Sequence, residues 1–168
     1  MTTCSCGCSS GDCCKSTQEN KEINIDFLYL DLSICERCQS TEDSLGKAIE
    51  DVSAVLKAAG YDITVNKIHI STKELAIKYE FISSPTIRIN GTDIALELKE
   101  SNCKDCGDLC GDDSIDCRVW IYEGKEYTSP PKEMIINAIL KEVYNPSSEI
   151  KKQEYKLPDN LNTFFNQK

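Results

Sequence analysis

The 168-residue sequence has little of what several large functional classes require. Its 19 Lys and Arg are outnumbered by 28 Asp and Glu, which gives a net charge of −9. Because an acidic chain lacks the basic surface that binds phosphates, we expect no nucleic-acid partner. No apolar run reaches the roughly 20 residues of a membrane-spanning helix, so we expect no membrane association. The first residues carry neither an apolar segment nor a basic start, so we also expect no secretory signal.

Cysteine, in contrast, is unusually frequent, with 11 in the chain beside a single histidine. A secreted domain held by disulfides is typically short, carries a signal and has an even number of cysteines. This chain differs on each point, so we expect a reduced, cytoplasmic protein whose thiols serve redox chemistry or soft-metal binding. Nearly all the cysteines lie in short polar clusters with glycine, which argues against a role as small buried hydrophobic residues.

The composition divides the chain into one domain and two tails. Residues 1–21 are predicted to form a cysteine-rich flexible tail, because the first 20 residues contain no Val, Ile, Leu or aromatic residue to bury. Residues 22–145 have the pattern of a folded domain, interrupted at 97–117 by a polar, acidic, cysteine-bearing insertion. Residues 146–168 are polar, and we expect a frayed tail there. The apolar residues in it that could dock on a surface are Leu157, Leu161, Phe164 and Phe165.

Apolar periodicity predicts an α/β domain. The segment 23–30 is nearly continuously apolar, which is typical of a strand buried on both faces. A long helix is predicted after it, because apolar residues recur on one helical face, at Leu45, Ile49, Val52 and Leu56. Further strands are predicted at 63–70, 86–89 and 118–122, and the helices at 35–59, 71–79 and 130–145. Asn90-Gly91 is a strong hairpin signal after the third strand.

The first candidate site is Cys35-Glu-Arg-Cys38, which follows the buried strand and begins the first helix. The free N–H groups of a helix N-terminus favour a thiolate, and Arg37 adds a fixed positive charge. The spacing puts both sulfurs on one side of the first turn, so a disulfide can form between them. We expect Cys35 to be exposed and nucleophilic and Cys38 to be the resolving thiol. The motif is also half of a zinc site, but its strand–loop–helix context favours redox chemistry.

This arrangement resembles the thioredoxin superfamily over about residues 22–145. The resemblance rests on the Cys35–Cys38 motif, on Ser84-Pro85-Thr86 before a later strand, and on the strand, strand, helix order that closes the domain. It implies a thioredoxin-like βαβαββα three-layer domain, with the cysteine-rich insertion before the penultimate strand. It also implies that Pro85 follows a cis bond and faces the dithiol, and that Ser84 offers backbone contacts to a bound thiol substrate.

The sequence departs from thioredoxins proper at the motif. Ile34 stands where they carry Trp, Glu-Arg stands where they carry Gly-Pro, and Tyr29 replaces their buried Asp. The chain is similar to uncharacterised cysteine-rich thioredoxin-like proteins of bacteria and archaea. That similarity implies a fold and no particular activity.

The second candidate site is a set of four cysteines in the insertion. Four thiolates in a short segment with glycine turns can converge on a tetrahedral zinc ion, and the neighbouring aspartates favour a dication. Zinc or a similar soft ion is the preferred interpretation, and disulfides, free regulatory thiols and an iron–sulfur cluster remain open. The proposed ligands are Cys103, Cys106, Cys110 and Cys117. The spacing does not fix whether the insertion lies over Cys35, but if it does, its thiols could exchange with the dithiol.

The third candidate site is the N-terminal tail. Its alternating cysteines can bring sulfurs together on one soft ion, and its vicinal pair suits arsenic or mercury as well as copper or zinc. The alternative is an unstructured tail whose thiols do little. The tail cysteines are Cys4, Cys6, Cys8, Cys13 and Cys14.

Two functions follow from these sites. The first is a cytoplasmic thiol–disulfide oxidoreductase, in which Cys35 attacks a protein or small-molecule disulfide, Cys38 resolves the mixed intermediate and Pro85 shapes the groove. Its cofactor would be its own redox-active disulfide. The second is a binding or detoxification protein for soft metals and metalloids, such as zinc, copper, mercury and arsenic, which uses the cysteine clusters. An iron–sulfur electron carrier is a weaker third possibility, because the cysteine spacing does not match the expected ferredoxin pattern.

Overall fold

The computed structural model of the chain describes residues 20–110, 115–146 and 154–167. Strands and helices alternate through its first half, and a second group of strands follows. The strands are β1 (Lys21–Tyr29), β2 (Tyr61–His69), β3 (Thr86–Ile89), β4 (Thr92–Asp93), β5 (Lys99–Asn102), β6 (Asp116–Tyr122) and β7 (Lys125–Tyr127). The helices are α1 (Glu36–Ala58), α2 (Lys73–Lys78), α3 (Lys104–Cys110), α4 (Lys132–Tyr144) and α5 (Asp159–Gln167).

The larger sheet has four strands in the order β2-β1-β3-β4. β1 and β2 run parallel, β3 runs antiparallel to β1, and β4 runs antiparallel to β3. The parallel pair needs a crossover connection, which α1 provides. The end of β1 is buried on both faces, because Phe27 and Leu28 point to opposite sides of the sheet and neither is exposed.

The predicted hairpin at Asn90-Gly91 is confirmed. Asn90 has φ 49° and Gly91 has φ 83°, so both central residues lie in the left-handed region that a two-residue hairpin turn requires. The turn brings the chain straight back along β3 as β4.

The strand predicted at 118–122 is present as β6, but it does not join the larger sheet. β6 pairs with β5 and β7 in a separate three-stranded sheet, whereas the thioredoxin resemblance placed it in the central one. β4 pairs with Arg88 and Ile89 of β3, and a backbone hydrogen bond of 2.7 Å joins the Arg118 N–H of β6 to the carbonyl of Ser84, just before β3. An ion pair between Arg118 and Asp93 nevertheless ties the two sheets together, with the guanidinium nitrogen 2.8 Å from the carboxylate.

The main apolar core lies between the larger sheet and the long helices. The predicted apolar face of α1 packs there, with Leu45, Val52 and Leu56 buried and Ile49 partly buried. Residues of β1, β3 and α4 complete this core together with Trp120 of β6. The first helix begins and ends close to its predicted bounds, and Gly60, with φ 83°, follows it.

The C-terminal segment is ordered against the domain, so the expected frayed tail is wrong for residues 154–167. Leu161 and Phe164 of α5 are 1% and 0% exposed, and they pack with the end of β1 and with residues beside α2. Asn160 fixes the helix further, because its side chain both donates to and accepts from the backbone of Asp116. The segment is polar overall, so its composition predicts a frayed tail. Two apolar residues one turn apart are nevertheless enough to dock this short helix.

The structure therefore has a mixed α/β fold, as the sequence predicts, and its strands form two sheets. Within the described ranges, no helix has both the length and the apolar character needed to cross a membrane.

Candidate functional site

Four cysteine sulfurs meet in the interior of the protein. Their Sγ atoms all lie within 4.8 Å of one another, and all four residues are buried. No disulfide joins them in the structure. The four are Cys35, Cys103, Cys106 and Cys117.

The four sulfurs of this cluster are supplied by the start of α1, the start of α3 and strand β6. Cys35 is the N-cap of α1, where its sulfur accepts a hydrogen bond of 3.4 Å from the N–H of Cys38. Cys103 directly precedes α3 and Cys106 lies in its first turn, while Cys117 lies in β6. The insertion therefore folds over the dithiol motif and adds three sulfurs to the first one.

Backbone contacts hold the insertion in this shape. The N–H of Cys103 donates to the carbonyl of Ile115 at 2.9 Å, which closes the loop between α3 and β6. The N–H of Gly107 donates to the carbonyl of Cys103 at 3.0 Å, which starts the helical turn. Together these bonds bring Cys103 and Cys106 to the start of β6, where Cys117 lies.

Hydrogen bonds within the cluster divide the thiols into two kinds. Neighbouring thiols donate to Cys35, which holds the pKa of Cys35 well below its usual range. Hydrogen bonds from Cys106 and Cys117 lower the pKa of Cys103 to about 7. Hydrogen bonds to Cys103, which is the largest cause, and to Cys35 raise the pKa of Cys106 and of Cys117. In the metal-free cluster, negative charge is therefore favoured on Cys35 and Cys103 over Cys106 and Cys117.

Cys38 lies beside the cluster as a fifth thiol. Its sulfur is 3.5 Å from the hydroxyl of Ser84, and its hydrogen bond to Cys35 raises the pKa of Cys38. The Ser84–Pro85 peptide bond is cis, as the thioredoxin resemblance implies. The Ser84 hydroxyl also accepts from the N–H of Leu30 at 3.2 Å. The loop before β3 thus lies against the dithiol motif.

Arg37 fastens the insertion to the first helix. Its guanidinium donates to the carbonyl of Asn102 at 2.9 Å and to the carbonyl of Cys117 at 3.2 Å. It also reaches the carbonyls of Ser101 and Arg118 at 3.4 Å and 3.5 Å. These carbonyls belong to β5 and β6, which lead into Cys103 and carry Cys117. One side chain of the Cys-x-x-Cys motif thereby positions two cysteines of the insertion.

Asp105 makes a second link between α1 and the insertion. Its carboxylate accepts a hydrogen bond of 2.9 Å from the N–H of Glu36 in the first turn of α1. An N–H group at a helix N-terminus has no partner within the helix, so this carboxylate supplies one. From the sequence, the aspartates of the insertion were expected to favour a bound dication. In the structure, the carboxylate of Asp105 instead caps the N-terminus of α1.

The surroundings of the cluster are mostly apolar. The cysteines pack with Leu28, Leu30, Ile70, Phe81, Ile115, Leu161 and Phe164. Cys103 is 3% exposed, and the other three are fully buried. A cleft of about 390 Å³ lies at this edge and is lined by Cys103 together with Glu36, Arg37, Ser40, Asn102, Lys104, Asp105 and Thr128. The cleft therefore reaches the cluster at Cys103.

The structure tests the predicted insertion site in part. It brings Cys103, Cys106 and Cys117 together, as predicted, but the fourth sulfur of the cluster belongs to Cys35. Cys110 ends α3, and its side chain lies outside what the structure describes. The tail cysteines Cys4, Cys6, Cys8, Cys13 and Cys14 also lie outside the described residues.

The expectation of an exposed Cys35 is wrong. Cys35 and Cys38 are both 0% exposed. A helix N-terminus at the end of a strand is ordinarily open to solvent, but here the insertion and α5 cover it. The roles of Arg37 and Asp105 in joining the insertion to α1 were not predicted from the sequence. An arginine inside the motif and an aspartate between two insertion cysteines were the available signals.

The fold and the site define a mixed α/β domain with a buried four-cysteine cluster. The family model for a domain of unknown function, DUF2703, matches residues 23–139. The chain belongs to that family, and the match runs from β1 into α4, including all four clustered cysteines. No curated protein and no solved structure matches the chain.

Proposed function

We propose that this protein binds a single soft metal ion, with zinc as the first choice, through the thiolates of Cys35, Cys103, Cys106 and Cys117. The observation that carries the proposal is the convergence of the four sulfurs within 4.8 Å of one another. Three separate chain segments supply them, so the arrangement depends on the fold and not on local spacing alone.

The size of the cluster suits one ion. A tetrahedral zinc site has metal–sulfur distances of about 2.3 Å, which places its sulfurs about 3.8 Å apart. The Cys106 and Cys117 sulfurs are 3.5 Å apart, and the other pairs are within 4.8 Å. A cluster of several irons would need sulfurs separated by the width of the cluster, so these distances favour a single ion over an iron–sulfur cluster.

The charge of the site supports a soft cation. Four thiolates around a dication leave two net negative charges, which burial makes costly without compensation. The positive end of α1 lies at Cys35, and the Arg37 guanidinium lies beside the strands that carry the ligands. In metal-free protein the raised pKa values of Cys106 and Cys117 favour their thiol forms, which lowers the negative charge buried in the cluster.

We also propose that the domain is thioredoxin-like and that the protein is cytoplasmic. The parallel β1–α1–β2 unit, the antiparallel β3 and the cis Ser84–Pro85 bond support a thioredoxin-like domain that carries a separate three-stranded sheet. The five cysteines whose side chains the structure describes are all free thiols, which supports a cytoplasmic protein. Its partners would be soft metal ions and the thiols that deliver them.

A second candidate function is thiol–disulfide exchange at Cys35 and Cys38. It is favoured by the lowered pKa of Cys35, by the neighbouring Cys38 thiol and by the cis Pro85 loop. The burial of both sulfurs argues against a general disulfide reductase, because a nucleophilic thiolate needs access to its substrate. In this reading, Cys35→Ser abolishes reduction of a test disulfide, and a wild-type rate in that variant would rule the reading out.

Cobalt titration tests the metal site. The test uses the full chain with its five tail cysteines changed to serine, which we call the tail-serine chain and which is the parent of the variants below. In this chain the buried cluster is studied without the tail thiols. Under anaerobic, reducing conditions we expect one equivalent of Co²⁺ to bind, with the visible absorption of a tetrahedral site and the sulfur-to-metal charge-transfer band of thiolate ligands. Zinc should then displace the cobalt at one equivalent.

The matched variants are Cys117→Ser and Cys110→Ser. Cys117→Ser should lose the tetrahedral cobalt spectrum, whereas Cys110→Ser should keep it. Absence of binding in the parent, or a spectrum that survives Cys117→Ser, would contradict the proposed site.

A further inference from the structure

Cys35 belongs to two groups of thiols at once. It is one of the four clustered sulfurs, and it is also the first cysteine of the Cys35–Cys38 pair. Cys38 is not one of the four, although it lies in the same buried cluster of side chains. A sulfur bound in a disulfide is no longer a thiolate ligand. The two uses of Cys35 are therefore mutually exclusive.

We propose that oxidation of Cys35 and Cys38 to a disulfide releases the bound metal ion, so that the dithiol motif is a redox trigger for the four-cysteine site. This inference rests on the proposed metal-binding function and adds its regulation. Reduction of the disulfide restores the fourth ligand, and metal binding in turn protects Cys35 from oxidation.

The position of Cys38 suits a trigger better than a ligand. Its sulfur contacts the Ser84 hydroxyl at 3.5 Å and lies in the first turn of α1. The N–H of the same residue donates to Cys35 Sγ at 3.4 Å, and the Cys38 thiol is also hydrogen-bonded to Cys35. A Cys35–Cys38 disulfide would therefore join two cysteines that already interact at the start of α1.

The oxidant we name is a small-molecule disulfide such as oxidised glutathione, and it has a route to the site. The cleft beside Arg37 and Lys104 leads to Cys103, the one clustered cysteine with measurable exposure. The Cys103 thiolate attacks the disulfide, forms a mixed disulfide and expels one glutathione thiolate. The Cys35 sulfur lies within 4.8 Å of Cys103 and can continue the exchange.

The electrons and protons balance over the next two steps. Cys35 attacks the Cys103 sulfur of the mixed disulfide and expels the second glutathione thiolate. Cys38 then attacks Cys35, forms the Cys35–Cys38 disulfide and returns Cys103 as a thiolate, while the Cys38 proton passes to a departing glutathione. One disulfide is reduced to two glutathione molecules, and two protein cysteines are oxidised. The metal ion leaves because three thiolates remain of the four that held it.

Metal release under oxidation tests the inference. The tail-serine chain is loaded with one zinc, freed of reductant and mixed with oxidised glutathione in the presence of a zinc-responsive dye. We expect zinc release to accompany a Cys35–Cys38 disulfide that peptide mass spectrometry identifies, and we expect a thiol reductant to reverse it. Release without that disulfide, or the disulfide with zinc retained, would overturn the inference.

Cys38→Ser and Cys110→Ser are the matched variants, each of which removes one thiol. With the release rate expressed per zinc loaded, Cys38→Ser should be slowed at least about tenfold, because without Cys38 the released glutathione can reverse both the mixed disulfide and the Cys35–Cys103 disulfide. Cys110→Ser should release zinc at the parent rate. Equal rates in Cys38→Ser and the parent would overturn the trigger while leaving the metal site intact. A parent chain that takes up no zinc would overturn the proposed function itself, and the trigger with it.

Discussion

The sulfurs of Cys35 and Cys117 lie within 4.8 Å of each other, although one residue caps the first helix and the other lies in a strand of the second sheet. The two come together because the insertion folds back over the start of α1 and is held there by Arg37 and Asp105. A metal ion at this point would join the two sheets of the domain, so binding should be coupled to folding.

Arg37, whose guanidinium binds backbone carbonyls of β5 and β6 and which we call the arginine clamp, should be needed for tight metal binding. Arg37→Ala takes away the donors that hold the carbonyls of Asn102 and Cys117, so the ligands on β6 and before α3 lose their fixed positions. We expect zinc affinity to fall by about tenfold or more, as for other groups that orient metal ligands. Competition with a chelator of known affinity measures this change.

The control for that variant is Lys47→Ala, on the exposed side of the same helix. It should bind zinc as the parent does. An Arg37→Ala protein with parent affinity would show that the clamp has no role in the site.

Zinc binding should release about two protons at pH 7.5 rather than four. The lowered pKa values mean that Cys35, and Cys103 with a pKa of about 7, are already mostly thiolates there. The raised pKa values of Cys106 and Cys117 mean that these two must lose protons when the metal binds. Because binding expels protons, zinc affinity should fall as the pH falls.

Calorimetric titration of zinc in buffers with different ionisation enthalpies counts these protons. Four ordinary thiols, with a pKa of about 8.5, would release nearly four. A count close to four would show that the cluster is not assembled before the metal binds.

The C-terminal helix should protect the cluster. Leu161 and Phe164 pack in the same apolar cluster as the cysteines, and the hydroxyl of Tyr155 donates to the carbonyl of Phe81 at 2.8 Å. Phe164→Ala removes a fully buried ring, at a cost of about 3–5 kcal/mol if the helix stays docked. Undocking of α5 would lower that cost and expose the cluster.

Alkylation of the reduced, metal-free protein reports that exposure. Phe164→Ala should react faster than the parent at the clustered cysteines, as followed by peptide mass spectrometry. Asn166→Ala, at an exposed position of the same helix, should react at the parent rate. Parent-like protection in Phe164→Ala would mean that α5 does not cover the site.

The ion pair between the sheets should contribute to stability. Arg118 is 2% exposed, and its guanidinium also lies 5.2 Å from the centre of the Trp120 ring. Asp93→Ala would leave this charge buried without its partner, which costs roughly 3–5 kcal/mol for fully buried pairs. Because Asp93 is 29% exposed, we expect a loss toward the lower end of that range.

Urea unfolding of the zinc-free protein measures the loss. The double variant Asp93→Ala/Arg118→Met should recover part of it, because it removes the unpaired charge as well. No recovery in the double variant would indicate that the ion pair is not the cause.

The sequence predicts local features of this protein well. Continuous apolar residues predict β1, periodic apolar residues predict α1, and Asn90-Gly91 predicts its hairpin, because each depends on neighbouring residues. The thioredoxin resemblance correctly implies the cis bond at Pro85. Of the four insertion cysteines that were predicted to converge, Cys103, Cys106 and Cys117 do so, while the side chain of Cys110 lies outside what the structure describes.

Long-range features could not be predicted in the same way. Cys35 joins the cluster only because hydrogen bonds from Arg37 and to Asp105 place the insertion over α1, and no periodicity encodes those bonds. The pairing of β6 with β5 and β7, in a sheet separate from the larger one, depends on contacts beyond neighbouring residues, which local sequence patterns do not specify. The docking of α5 depends on two apolar side chains meeting a surface that the folded domain creates.

X-ray absorption at the zinc edge tests the central claim most directly, namely that Cys35 is the fourth ligand. The zinc-loaded tail-serine chain should show four sulfurs at about 2.3 Å. Cys35→Ser should show three sulfurs and one lighter atom, and Cys110→Ser should still show four. Four sulfurs in Cys35→Ser together with three in Cys110→Ser would place Cys110 in the site and contradict the account.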